Sequence, residues 1–271
     1  MEDRFEDPFK GDIPQSIILK DAPLVRVLGQ VRFPKIAKIG DEEYIANFQE
    51  ELRRDYPHFT RDVMQGVELT MSDGSLEHTL IQSPVWRFFD PAKVIRISLT
   101  QDAITLETTS YVSRTDFLDR FKFILECFQN TIQPGSVSRV GFRYVDRLQG
   151  EDMLASLGKF IQPELLGILT PELVSSIDFS LQEVTGKTRE GIMIAKFGLA
   201  PKNFSHEPEM ATPVNELSWV LDVDSYSTDC EGQNFDTSEL YLELGKVADR
   251  AYAFFRWSVK NEFLERFGAA K

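Results

Sequence analysis

Histidine and cysteine are scarce in this chain, with three and two among 271 residues. His58, His78 and His206 are widely separated and read as loop residues. No HExxH, HxH or His–Cys spacing occurs, so zinc catalysis has no support. Cys127 and Cys230 make no metal-ligand spacing and suit a reducing compartment. Phosphate-cradling GxxxxGK[ST], dinucleotide-type GxGxxG and the GxSxG nucleophile elbow are all absent, which argues against ATPase, nicotinamide and serine-hydrolase chemistry. Positive charge is short as well: Lys plus Arg is 30 against 43 Asp plus Glu, a net charge of −13. That balance opposes adhesion to nucleic-acid phosphates or anionic membranes. Apolar runs stay below the ~20 residues of a membrane helix, and the leading MEDRFEDPFKGDIP is polar and acidic, unlike a secretory signal. The expectation is a cytoplasmic protein with no cofactor and no metal.

What the chain does have is amphipathic periodicity. Residues 1–20 carry Pro8, Gly11 and Pro14 without period, an irregular arm. Leu24–Phe33 alternates as a half-buried strand, and Glu42–Tyr56 places Tyr44, Ile45, Phe48 and Leu52 at helical spacing before Pro57. Strands are expected at Val67–Ser72, Thr79–Phe89, Val94–Leu99 and Ile104–Tyr111, with turns at Asp73-Gly74, Asp90-Pro91 and Gln101-Asp102. Asp116–Thr131 is a second amphipathic helix, capped by Ser113 or Thr115, with Cys127 on its apolar stripe. The pattern then restarts. Val137–Leu148 is a strand, 151–168 a helical stretch broken by Pro163 with a further short helix at Pro171, and Ile177–Val184 and Ile192–Leu199 a hairpin. Residues 200–216 form a surface loop, Trp219–Tyr226 a strand, and Asp236 to Phe267 a closing helix.

ITLETTSY (Ile104–Tyr111) lies well beside WVLDVDSY (Trp219–Tyr226), matching Leu106 to Leu221 and Glu107 to Asp222, while Arg26-Val27 has a counterpart in Arg139-Val140. The fold class expected is therefore α+β: two tandem strand–helix–antiparallel-sheet–helix units, 21–135 and 136–271, joined into one pseudo-symmetric sheet with helices on one side. The order resembles tandem TATA-box-binding-protein-like folds, a likeness of architecture that implies no function. In Pro23-Leu24, Trp86-Arg87-Phe88, Arg139–Tyr144 and Leu221–Asp224 the chain also resembles the prokaryotic family described as "sporadically distributed" proteins. That resemblance implies a component of a mobile accessory or defence-type gene set and carries over no catalytic residue.

The chemistry concentrates in SRVGFRYVDRL. Alternation on a strand puts Arg139, Gly141, Arg143, Val145 and Arg147 on one face and Val140, Phe142, Tyr144, Asp146 and Leu148 on the other, mainly apolar, face. Three arginines suit bidentate capture of carboxylate or phosphate, and Gly141 leaves room for close approach. The competing reading pairs them with Glu107, Asp222 or other acids across the sheet, and it is favoured. Asp222 and Asp224 face the same way and offer a carboxylate pair for acid–base or cation chemistry, without a third ligand at recognisable spacing. Trp86-Arg87-Phe88-Phe89 puts aromatics on both strand faces, so Trp86 serves either the core or a partner groove. Trp257, Phe263 and Phe267 call for burial in the fold or in a homodimer contact, and Cys230 sits in an acidic, exposed-looking loop. The functional expectation is a non-catalytic binding or regulatory protein. It recognises a protein partner or a small anionic ligand through Arg139, Arg143, Arg147, Trp86, Asp222 and Asp224. The alternative is an enzyme on a phosphorylated or nucleotide-like ligand, with the arginines as clamp and the Asp pair as acid, base or metal ligand.

Overall fold

The computed structural model describes residues 7–72, 75–170 and 172–269, those of 65–81 as backbone alone. Nine strands form one antiparallel sheet: β1 (Leu24–Arg32), β2 (His58–Ser72), β3 (Ser75–Phe89), β4 (Ile95–Leu99), β5 (Ala103–Thr108), β6 (Arg139–Gln149), β7 (Ser180–Lys187), β8 (Ile192–Ala200) and β9 (Ser218–Ser227). Their order is β2-β3-β4-β5-β1-β6-β9-β8-β7. The helices are α1 (Glu42–Leu52), α2 (Arg114–Ile132), the short α3 (Glu151–Ala155), α4 (Leu157–Phe160) and α5 (Pro163–Leu166), then α6 (Thr237–Ser258) and α7 (Asn261–Arg266). The fold is α+β, and the sheet runs unbroken through the β1–β6 pair, where Val27 lies opposite Tyr144.

Local signals explain the long helices. Asp41 accepts from the Glu43 amide at the start of α1, Ser113 from Asp116 at α2, and Asp236 from Ser238 and Glu239 at α6. Each cap satisfies amides that the first helical turn leaves without partners. α1 turns Ile45, Phe48 and Leu52 inward, and Phe48 meets Phe88 of β3 edge-on at 5.5 Å. α2 lies over β1 at Gly29, where a Cβ would stand 3.0 Å from both the Phe117 and Phe121 rings. The glycine thus sets how closely helix and sheet approach. Buried residues of α1, α2 and α6 share one core with Val27, Val31, Val140, Phe142, Leu221 and Val223, all from one sheet face. The other face carries the loop between β8 and β9.

Several elements differ from expectation, each for a local reason. β2 begins at His58, nine residues early, because its first half pairs with Val85–Phe89 of β3. His58 and His78 therefore stand on strands rather than loops, while the Asp73-Gly74 turn, Pro171 and the His78 side chain lie outside the described residues. Pro163 starts α5 at its first position instead of merely breaking a helix. The closing helix is two helices: Val259 adopts extended backbone and bridges Ile161. Cys230 is buried, not exposed, and burial pushes its thiol pKa up. Phe263 and Phe267 are buried within the fold, in ring contact at 4.6 Å. Among the described residues no helix is long and apolar enough to cross a membrane.

Candidate functional site: an arginine face closed by an acidic loop

β6 presents Arg139, Arg143 and Arg147 on the sheet face opposite the helices, as alternation requires. Arg143 is the centre. Its Nε and Nη2 donate to the two Asp222 oxygens at 2.7 and 2.6 Å. Nη1 and Nη2 donate to the two Glu207 oxygens at 3.1 and 2.5 Å. One guanidinium thus holds two carboxylates in paired forks, the geometry arginine is shaped for. Burial works against the Arg143 charge, but the hydrogen bonds to Asp222 and Glu207 outweigh it and raise its pKa. Burial likewise pushes the Asp222 carboxyl up, and the bonds from Arg143 and His206 overcome it, leaving the pKa below its ordinary value. His206 Nε2 stands 2.6 Å from Asp222 Oδ2.

Arg139 folds over Gly141 onto the Tyr226 ring, 4.0 Å from its centroid, and reaches Gln30 at 3.1 Å and Asp224 at 3.3 Å. The space left by the glycine is filled by this side chain. Burial raises the Asp224 pKa despite the opposing pull of Arg139 and Arg143. Arg147 differs from both. It is 8% exposed, its Nε has no hydrogen-bond partner, and no carboxylate pairs with it among the described residues. Burial lowers its pKa. Trp86 is no part of this surface: it is fully buried on the helix side, stacked on Phe59, its indole N–H donated to the Ile39 carbonyl at 2.6 Å. That placement removes it from the candidate recognition residues.

Alternation along β6 did not reveal the loop that closes the face. Residues 201–217 cross from β8 to β9 and drop Glu207 on Arg143 and Glu209 between Arg87 and Arg96, at 3.2 and 3.3 Å. Met210 and Ala211 pack on Val145, with Val25 and Leu28 beside them, and the Met210 carbonyl accepts from Arg26 Nε at 2.9 Å. Arg26 also pairs with Glu107 at 3.3 Å, and Arg96 pairs with the same carboxylate. Burial, with Arg87 nearby, lowers the Arg96 pKa to about 10.

His206, Glu207 and Asp222 offer one imidazole and two carboxylates, with ligand atoms all within 4.8 Å of one another. The donor types suit a divalent ion, but both carboxylates already accept hydrogen bonds from the Arg143 guanidinium. Asp222 and Asp224 are each engaged by an arginine, Arg143 and Arg139 respectively. No family model and no curated protein matches the chain.

Proposed function

We propose that this is a non-catalytic binding protein that recognises an acidic protein segment along the helix-free sheet face, with Glu207 and Glu209 as internal stand-ins for that segment. The carrying observation is the Glu207 carboxylate seated bidentate in the Arg143 fork on a loop, not on a strand. A side chain 41% exposed, on a segment without strand or helix, is the exchangeable partner, whereas Asp222 is built into β9. Arg147, four residues along β6 and about 13 Å away at ~3.3 Å per residue, adds a second cation, 8% exposed and paired with no acid among the described residues. The resemblance to the "sporadically distributed" family agrees with an accessory, partner-directed role.

The duplication reading belongs here too, and the sheet registers support a version of it. Leu28 of β1 lies opposite Glu107 of β5, which lies opposite Arg96 of β4. Val145 of β6 lies opposite Asp222 of β9, which lies opposite Lys196 of β8. Matching Leu106 to Leu221 therefore matches Arg26 to Arg143, not to Arg139, and the Arg26–Glu107 pair to the Arg143–Asp222 pair. Tyr111 and Tyr226 do not follow the match: Tyr111 lies beyond β5 and contacts Tyr144, while Tyr226 lies in β9 under Arg139.

The test is binding of a fluorescent oligoglutamate peptide to wild type and to the Glu207→Gln/Glu209→Gln chain. Neutralising the stand-ins strengthens binding at least tenfold, and adding Arg147→Ala weakens it again. Equal affinity with and without the loop glutamates overturns the proposal, as does binding that Arg147→Ala leaves unchanged.

A further inference from the structure

On the opposite sheet face, away from the arginines, a cavity of about 500 Å³ opens between the lead-in segment 16–22, residues 109–115 before and at the start of α2, and α6. Its size lies within the range of small-molecule sites. Tyr111, Tyr144, Tyr252 and Phe255 supply aromatic wall. The Tyr111 and Tyr144 rings meet edge-to-face at 5.9 Å with their hydroxyls 3.4 Å apart. The lead-in is tied down rather than loose. Tyr252 Oη accepts from the Ile17 amide at 2.8 Å, Leu19 bridges Ala269, and the Asp21 amide donates to the Phe267 carbonyl at 3.2 Å.

Asp146 lines this cavity from β6. It is 6% exposed, yet its carboxyl has no hydrogen-bond or ion-pair partner among the described residues. Buried acids without partners are costly, and the fold does not remove this one. Arg114, the first residue of α2 and part of the cavity wall, is already paired with Asp249 of α6. Lys20 and Asp21, both exposed, add one charge of each sign to the lining. Asp222, across the sheet, adds only further negative charge. Burial first, and Asp222 second, push the Asp146 pKa to about 7. An unmet carboxyl inside an aromatic wall is complementary to an organic ammonium: the cation restores the ionised acid, and the ring faces attract it. An anionic ligand would meet that carboxyl with the wrong sign.

We propose that this cavity is a binding site for a small primary ammonium compound with an apolar or aromatic body, its nitrogen held by Asp146. The site lies on the other face of the sheet from the β6 arginines, is reached from there only by the charge of Asp222, and does not rest on what the arginine face binds.

The experiment uses the whole chain, with 2-phenylethylammonium as probe and its neutral and anionic counterparts, 2-phenylethanol and 3-phenylpropionate, as controls. Calorimetry and thermal shift are read at pH 6.5. The ammonium probe raises the melting temperature and binds at least tenfold more tightly than either control, and Asp146→Asn abolishes that preference. Runs in two buffers of different ionisation enthalpy show net proton release on binding to wild type, because the ammonium drives the proton from Asp146; this readout needs no variant. Equal binding of alcohol and ammonium, no detectable binding of the ammonium at millimolar concentration, or an undiminished preference in Asp146→Asn each overturns the proposal.

Discussion

Asp222 and Asp146 sit on neighbouring strands one residue out of register, since Asp146 lies opposite Leu221. Both are almost wholly buried, on opposite faces of the same sheet. Asp222 meets Arg143 twice and His206 once, and its pKa falls. Asp146 meets nothing among the described residues, and its pKa rises to about 7. Equal burial has opposite consequences because only one of the two carboxylates is given donors. Stability is built from the first and a recognition chemistry is left open by the second.

The largest expected effect comes from taking the donors away. Arg143→Ala strands Asp222 in a site 2% exposed and costs about 3–5 kcal/mol of unfolding free energy in urea titrations. Asp222 then keeps only His206 as a partner, and the contrast with Asp146 narrows. Of similar size is the pH dependence of Asp146. Its folded pKa lies above the unfolded value, so its contribution is complete below about pH 4 and is lost as pH rises through about 7. A displacement of that size corresponds to a loss on the order of 4 kcal/mol. Asp146→Asn removes that decline, so denaturation curves from pH 4 to 8 for wild type and variant diverge at the alkaline end. Asp222 has the opposite sign: its folded pKa is depressed, so its contribution is present above the unfolded value and is lost as pH falls through the folded one. A wild-type chain with no decline between pH 5 and 8 would break the comparison.

Smaller effects sharpen it. His206→Ala removes one hydrogen bond from Asp222 while leaving both Arg143 bonds, and costs about 1–2 kcal/mol in the same titration. A cost equal to that of Arg143→Ala would mean that the imidazole, not the guanidinium, carries the site. Glu209→Gln is smallest, roughly 0–1 kcal/mol, because its side chain is 65% exposed and its pairs with Arg87 and Arg96 are screened by water.

Period and capping made much of this readable from residues alone. Ser113 caps α2 as its sequence suggests, α6 begins beside Asp236, and two-residue alternation placed the β6 arginines opposite Tyr144 and Asp146, whereas the Asp41 cap of α1 is visible only in the fold. Alternation also left Asp146 on a mainly apolar face, which by itself does not point to a cavity. It could not show who meets whom. Glu207 lies 64 residues from Arg143 on a segment with no period, and such a pairing is encoded by the route of the loop over the sheet rather than by any local pattern. Trp86 was ambiguous because alternation names a face without saying what covers it; α1 covers the Phe88 side, and Trp86 shares that core. The first half of β2 is not legible in the pattern because Arg61 and Asp62 interrupt its apolar signal, although the pairing with β3 is continuous.

The seam between β1 and β6 has a consequence in time. A chain made from its N-terminus releases β1 long before either neighbour exists. β5 follows some 80 residues later and closes one edge, Val27 pairing with Thr108. The other edge then stays open until β6 has emerged, with Val27 waiting for Tyr144. Through that interval the nascent chain carries an unpaired rail of amides and carbonyls, the feature through which strands adhere to foreign strands. The moment of greatest exposure to misassembly during synthesis is therefore set by where in the gene β6 is encoded.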